Sequence, residues 1–278
     1  MSIFYGWTVE LYIALVVIFF FGAALGSFLN VVLYRTEKKE DWIKGRSRCE
    51  KCGRQIAWYE NIPMISWLVL RGKCRTCEQK ISWVHPVMEL LMGLWFGGIY
   101  VTSVNFWGLY QAPWNWLDPL FWLGIGILLI LVIIIDGTKK IIPDWLNVML
   151  LAWTGIYLGI ETWGGILTVN ELLIRVGVGL GTGLVFLGLH YLVLKIYKRD
   201  GFGLGDVKLL TVLGLLLGWP NVLVMAFLSF MLGAVGGLVM MWVKKKGRKT
   251  EIPFGPFISV AAIMTAVWGQ LLWSLLFF

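Results

Sequence analysis

Charge is scarce in this chain. Only 14% of its 278 residues are Asp, Glu, Lys or Arg, against roughly a quarter in an ordinary soluble domain, while 59% are hydrophobic. That balance excludes a water-soluble globular fold and leaves a polytopic membrane protein. Acidic residues are missing from the centres of the apolar runs, which speaks against a charged path through the membrane. Lys and Arg are missing from the connections 100–118 and 161–171, so charge is sided as well as sparse. Histidine occurs twice, and His190 stands alone on an apolar run, which fits a core residue better than a metal ligand. Cysteine occurs four times, all within one segment.

What is abundant is apolar sequence in lengths near the 20 or so residues that cross hydrocarbon. Eight runs are recognised, approximately 9–34, 86–103, 118–135, 143–160, 171–197, 207–218, 222–243 and 257–277. The expected fold is all-α, with about eight transmembrane helices and a small metal-binding module between the first and second. The first run has no basic start and no small-residue cleavage site, so it is expected to persist in the mature protein. If eight helices alternate, 23 of the 24 Lys and Arg fall on one side, with Arg175 the exception. The positive-inside rule makes that side the cytoplasm and puts both termini outside. The +8 charge is thereby explained by anionic headgroups, with no nucleic acid required.

The segment 35–85 carries Cys49-Glu-Lys-Cys52 and Cys74-Arg-Thr-Cys77. Two such pairs supply four thiolates, the ligand set of a structural zinc site with no open coordination position. Disulfides are disfavoured in a reducing cytoplasm, and no βαβ pattern supports a thioredoxin-like role. The same segment holds Glu60-Asn61-Ile62-Pro63 and Arg71-Gly72-Lys73, which taken alone read as solvated loop. Glu89, near the start of the second run, is expected either to pair or to snorkel. Gly26 and Asn30, four apart in the first run, read as a helix contact.

Two aspartates stand where apolar runs meet the basic face. Asp136 follows the run 118–135 and precedes Pro143-Asp144, and Asp206 closes the glycine-rich stretch Gly201-Phe-Gly203-Leu-Gly205. Alternate glycines allow a tight turn and close approach of a substrate. Two carboxylates on one membrane face can share a proton, so that one activates water while the other polarises a carbonyl. Asp144 is the alternative to Asp136, although its place after proline suits the first turn of a helix. Lys208, two residues beyond Asp206, reads as a headgroup contact or as support for the site.

These motifs occur in order along nearly the whole chain: Gly26-Ser-Phe-Leu-Asn30, Cys49-x-x-Cys52, Glu60-Asn-Ile-Pro63, Arg71-Gly-Lys-Cys74-x-x-Cys77, Pro86 to Glu89, Asp136 with Pro143-Asp144, Gly203-x-Gly205-Asp206-x-Lys208, and Ile252-Pro-Phe-Gly-Pro256. The sequence resembles the bacterial type IV prepilin peptidases, aspartyl proteases of the membrane with a G-x-G-D motif. The resemblance implies removal of the basic leader from type IV prepilins or type II secretion pseudopilins at the inner face of the bacterial inner membrane. It further implies methylation of the new N-terminus from S-adenosylmethionine. On this reading Asp136 and Asp206 are catalytic, and Gly203, Gly205, Asp144 and Lys208 support the site. Cys49, Cys52, Cys74 and Cys77 hold zinc, and Glu60, Gly72 and Lys73 are candidates for methyl transfer.

The implied division is residues 1–34 as a first membrane helix, 35–85 as the zinc module and 86–278 as the peptidase domain. The expected partners are prepilin substrates and the bilayer, and no oligomeric state is implied. No glycine-rich strand–turn–helix fingerprint marks a methyl-donor site, so that site rests on the resemblance. If the helix before Asp136 ends there and another begins just before Asp206, helix dipoles favour Asp206 as the ionised base and Asp136 as the proton carrier. The competing class is a cation transporter or channel with acidic path residues and the cysteine segment as a docking loop.

Overall fold

In hydrocarbon, backbone N–H and C=O groups find no water and must be satisfied within the segment, which is why the apolar runs become helices. The computed structural model describes residues 8–41, 45–105, 114–198, 203–244 and 252–277. Gly201 and most of the basic run 244–249 lie outside the described residues. The helices are α1 (Val9–Glu37), α2 (Ile65–Val69), α3 (Val84–Asn105), α4 (Trp114–Lys139), α5 (Asp144–Trp163), α6 (Val169–Tyr197), α7 (Leu204–Leu217), α8 (Asn221–Lys244) and α9 (Gly255–Phe277). A short 3-10 turn, Trp58–Asn61, precedes α2. Among the described residues there is no strand, only two isolated bridges.

All eight expected runs are helical; among the described residues six helices are long and apolar enough to cross a membrane, α1, α3, α4, α6, α8 and α9, so the count of eight crossings is not confirmed. α7 has 14 residues, about 21 Å at 1.5 Å per residue, short of a hydrocarbon core of about 30 Å. α5 is long enough, but Asn147, Thr154, Asp144 and Glu161 dilute its apolar character.

The chain divides into two compact units, Met1–Leu123 and Gly124–Phe278. In the first, α1 lies against α3 through small residues that bring the backbones together. A Cβ on Gly26 would stand 2.9 Å from Met88 O, and one on Gly93 would stand 2.8 Å from the Phe19 ring. Asn30 Nδ2 donates to His85 O at 3.4 Å, so the Gly26–Asn30 face is a helix contact as expected. Arg35 ends α1 by donating to the carbonyls of Asp41, Gly45 and Arg46, which brings these three residues to the helix end.

In the second unit α7 is the central element, packed against α5, α6, α8 and α9. Its sides are buried nearly all round, so a helix too short to span the hydrocarbon core alone is surrounded by protein along its length. Gly179 and Gly183 of α6 face Leu215 and Thr211 of α7, and a Cβ at Gly179 would approach Leu215 Cβ to 2.9 Å. Arg175, the basic residue left over by the orientation count, donates Nη1 to Leu216 O at 3.1 Å and closes the C-terminal end of α7. His190 is buried beside the Tyr191 ring, as a core residue should be.

Candidate active site

Asp136 and Asp206 come together in the second unit from elements far apart in sequence. Asp136 lies in the last turn of α4 and is 4% exposed, and Asp206 is the third residue of α7 and 9% exposed. Their carboxyl groups are near enough that the charge of Asp136 acts on Asp206. Asp206 Oδ2 accepts from the Gly203 amide at 3.2 Å, the bond by which an acidic residue at the third helical position closes a helix start. Asp136 Oδ2 accepts from the Gly255 amide at 2.9 Å, and Gly255 is the first residue of α9. Ile142, in the connection between α4 and α5, fills the space between these two starts. A Cβ on Gly205 would lie 3.1 Å from Ile142 Cβ, and one on Gly255 would lie 3.1 Å from Ile142 Cδ1 and 2.8 Å from Asp136 Oδ2.

Two expectations change here. α4 does not end at Asp136 but runs on to Lys139, and Asp136 O still accepts from Lys140 N at 2.8 Å. The carboxylate of Asp136 also meets the start of a second helix, α9. Each aspartate therefore faces one amide at a helix N-terminus, and the dipole argument no longer assigns the proton to either. Gly255 was missed as a site residue, since Ile252-Pro-Phe-Gly-Pro256 reads from sequence as a stiff lead into the last helix. The signal was a glycine held between two prolines, a place where a backbone amide can approach a buried acid.

Asp144 is the first residue of α5, as its place after Pro143 suggests. Lys208 Nζ donates to Asp144 Oδ1 at 2.6 Å, and both side chains are more than half exposed. Lys208 thus has a protein partner in place of the expected headgroup.

In the first unit the four cysteines form one cluster, with every Sγ within 4.8 Å of the others and Cys49 Sγ 3.7 Å from Cys77 Sγ. The two halves are built alike. Cys49 N donates to Arg54 O at 2.9 Å and Cys74 N to Gln79 O at 2.8 Å, while the amides of Gly53 and Glu78 return to the carbonyls of Cys49 and Cys74. Both return residues are left-handed, φ 69° at Gly53 and 53° at Glu78. Amides of Cys77 and Thr76 draw the Cys74 thiol down to about 6. At Cys77 the Gln79 amide pulls the same way, but loss of water and the other thiols push it up to about 11. Four thiols packed this closely ionise together only around a cation, so the cluster is suited to hold a metal ion.

Glu60 is not solvated loop. Its side chain is 5% exposed and accepts from Arg54 Nη2 at 2.7 Å, Arg75 Nη1 at 3.3 Å and Ala57 N at 3.2 Å. Burial opposes its charge, but the Arg54 and Ala57 hydrogen bonds and the nearby guanidinium charge prevail and hold the carboxyl below the usual range. Arg54 follows the first cysteine pair and Arg75 lies within the second, so Glu60 ties the two halves together. A cavity of about 550 Å³ adjoins this region, lined by Asn30, Tyr34, Glu60, Met64, Arg75 and Glu89 among others. Gly72 and Lys73 do not line it. Gly72, at φ 67°, packs on the Trp67 ring, and Lys73 pairs with Lys80 in a bridge. Glu89, 8% exposed, accepts from Met64 N at 2.7 Å, so it pairs within the protein.

A helical protein with six candidate membrane spans, a four-thiol module and two buried, interacting carboxyl groups is an integral membrane protein with chemistry available in both units. Comparison with known proteins makes the class specific. The profile of the Bacterial Peptidase A24 N-terminal domain matches residues 20–103, and that of the Type IV leader peptidase family matches residues 122–238. A prepilin leader peptidase/N-methyltransferase of Aeromonas salmonicida is 32% identical, with 94% of this chain and 92% of the relative aligned. Proteins of the same description from Stutzerimonas stutzeri and Pseudomonas aeruginosa are 35% and 30% identical, over 90% of this chain and 89% and 88% of their own lengths. No solved structure matches the chain. The chain belongs to the type IV leader peptidase family. The transporter alternative receives no support from these likenesses.

Proposed function

We propose that this protein removes the leader peptide from prepilins, and from pseudopilins of type II secretion where these are its substrates, and then methylates the new N-terminal amine. The observation that carries the first activity is that Asp136 and Asp206, both buried, stand at two helix starts that share Ile142 as a neighbour. One carboxylate takes a proton from water as its oxygen attacks the scissile carbonyl. The other carboxyl donates to the carbonyl oxygen, and a proton later passes to the departing amine. Gly203 and Gly255 amides orient the two groups, Gly205 keeps the approach beside Ile142 open, and the Lys208–Asp144 pair steadies the starts of α7 and α5.

The four thiols of Cys49, Cys52, Cys74 and Cys77 are assigned to structural zinc. Sulfurs at tetrahedral corners 2.3 Å from zinc stand about 3.8 Å apart, and the Cys49–Cys77 separation of 3.7 Å fits. With four protein ligands the ion holds the fold of segment 35–85 and leaves the proteolytic chemistry to the aspartates of the second unit. S-adenosylmethionine supplies a methyl group on a cationic sulfur. We assign its binding to the cavity beside Glu60, whose volume suits a ligand of that size. Its wall carries both signs, Glu60 and Glu89 beside Arg54 and Arg75, so that a ligand with a carboxylate, an ammonium and a sulfonium meets partners for each. Gly72 and Lys73 act at one remove, by setting the turn from α2 into the second cysteine pair.

The basic face is assigned to the cytoplasm of an inner membrane, with the zinc module and both aspartates on that side and both termini opposite. The test is incubation of the purified protein with a prepilin, with and without methyl donor. Loss of the leader followed by a gain of one methyl group supports both activities. A prepilin left intact by folded wild-type protein contradicts the proposal.

A further inference from the structure

The short helix α2 has its apolar side outward. Ile65, Leu68 and Val69, spaced one turn apart on one face, are 45%, 67% and 75% exposed. The polar Ser66 is turned inward, its Oγ donating to Tyr59 O at 3.0 Å, and Trp67 Nε1 donates inward to Ile81 O at 3.3 Å. In water such an arrangement is inverted, because apolar side chains gain from burial. Trp83, 63% exposed, adds to the same kind of surface immediately before α3.

The depth of α2 is fixed by one bond. Met64, the residue before it, donates its amide to Glu89 Oε2 at 2.7 Å. Glu89 lies five residues past Val84, roughly 7.5 Å into α3 at 1.5 Å per residue. The 22 residues of α3 measure about 33 Å, only slightly more than a hydrocarbon core of about 30 Å. A segment tied to Glu89 therefore stands within about 6 Å of the level where headgroups give way to acyl chains. Basic residues follow: Arg71, Lys73 and Lys80 are all exposed, the last two paired across a bridge, with Glu78 the acidic residue among them. Apolar side chains at the boundary with cations beside them match an anionic bilayer surface.

We propose that α2 is an interfacial helix, with Ile65, Leu68 and Val69 in the headgroup–acyl boundary of the bilayer that α3 spans, held at that depth by Glu89 on the Met64 amide. The occupant of this face is lipid. The consequence rests on the proposed function: the cavity beside Glu60 and Met64 is kept at the depth where the N-terminus of a membrane-embedded pilin helix emerges.

The test uses the full chain in phosphatidylcholine–phosphatidylglycerol vesicles without pilin, carrying a fluorescent amino acid at 68, at 69 or, as an aqueous reference, at 78. Spin-labelled lipids with the nitroxide high on the acyl chain are expected to quench positions 68 and 69 at least about twofold more than 78, with aqueous iodide giving the reverse order. Glu89→Ala is expected to reduce lipid quenching at 68, while the 78 reference stays unchanged and reports that the module remains folded. Iodide quenching at 68 and 69 equal to that at 78 overturns the proposal. Shielding that arises only when prepilin is added also overturns it and assigns the face to the substrate. These readings do not depend on leader cleavage, so failure here and failure of the peptidase assignment are separate results.

Discussion

The Gly255 amide lies 2.9 Å from Asp136 Oδ2 although 119 positions separate the two residues. The contact joins the end of α4 to the start of α9 and admits no side chain: a Cβ at 255 would stand 2.8 Å from the carboxylate oxygen and 3.1 Å from Val132 Cγ1. Gly255→Ala must therefore displace the acid or the helix. An error of about 1 Å in a reacting group costs about 100-fold, so kcat for leader cleavage should fall by about that factor with KM for prepilin little changed. Methyl transfer to a pilin already cleaved should persist. Cleavage at the wild-type rate would show that the amide does not position Asp136.

The paired cysteine turns allow a comparison inside one molecule. Gly53 and Glu78 occupy equivalent left-handed positions, and no atom lies within 4 Å of a Cβ on Gly53. The difference between them is then one of backbone strain, about 1 kcal/mol for a residue with a side chain. Gly53→Ala should speed loss of metal to a chelator by about fivefold, and Glu78→Gly should slow it by a similar factor. Equal effects in the same direction would contradict the equivalence of the two turns.

Glu60 joins Arg54 to Arg75 and lines the cavity assigned to the methyl donor. Glu60→Gln should lower methyl transfer by about 10-fold or more while leader cleavage stays within about twofold, since the loss of a charged partner is local. Mass analysis of the product N-terminus reads both. Its carboxyl is held below the ordinary value of 4.5. Its contribution to the module is therefore complete above that value and disappears as pH falls through the lower folded value. Glu60→Gln should flatten that part of the acid unfolding profile.

The Lys208–Asp144 pair is short, 2.6 Å, but exposed. Exposed pairs contribute at most about 1 kcal/mol, so Lys208→Met should reduce cleavage by less than about 10-fold. A loss as complete as that of Asp206→Asn would instead put Lys208 in the chemistry.

Much of this was legible in sequence because it rests on local chemistry. Apolar run length placed eight helices, the C-x-x-C spacing brought four thiols together, and Pro143-Asp144 marked the start of α5. What was not legible came from tertiary contact. α4 continues past Asp136 to Lys139 because a helix can carry a charge in its last turn when a partner is supplied from elsewhere, here by α9. Glu60 is buried because two arginines close over it, and those belong to the cysteine turns, not to its own segment. Lys208 found Asp144 across 64 positions. That α5 and α7 are helices was legible, but their crossing of the membrane is not confirmed by length and composition. Helicity and span length are different requirements, and α7 has only 14 residues, packed against four other helices.

The claim on which the account turns is that one acid from α4 and one from α7 act together on the leader. Mass measurement of a prepilin after incubation with wild-type protein, Asp136→Asn and Asp206→Asn tests it most directly. The expected result is loss of the leader with wild type and an unchanged prepilin with either variant, while both variants still methylate a pilin cleaved beforehand. Release of the leader by both variants at the wild-type rate would contradict it.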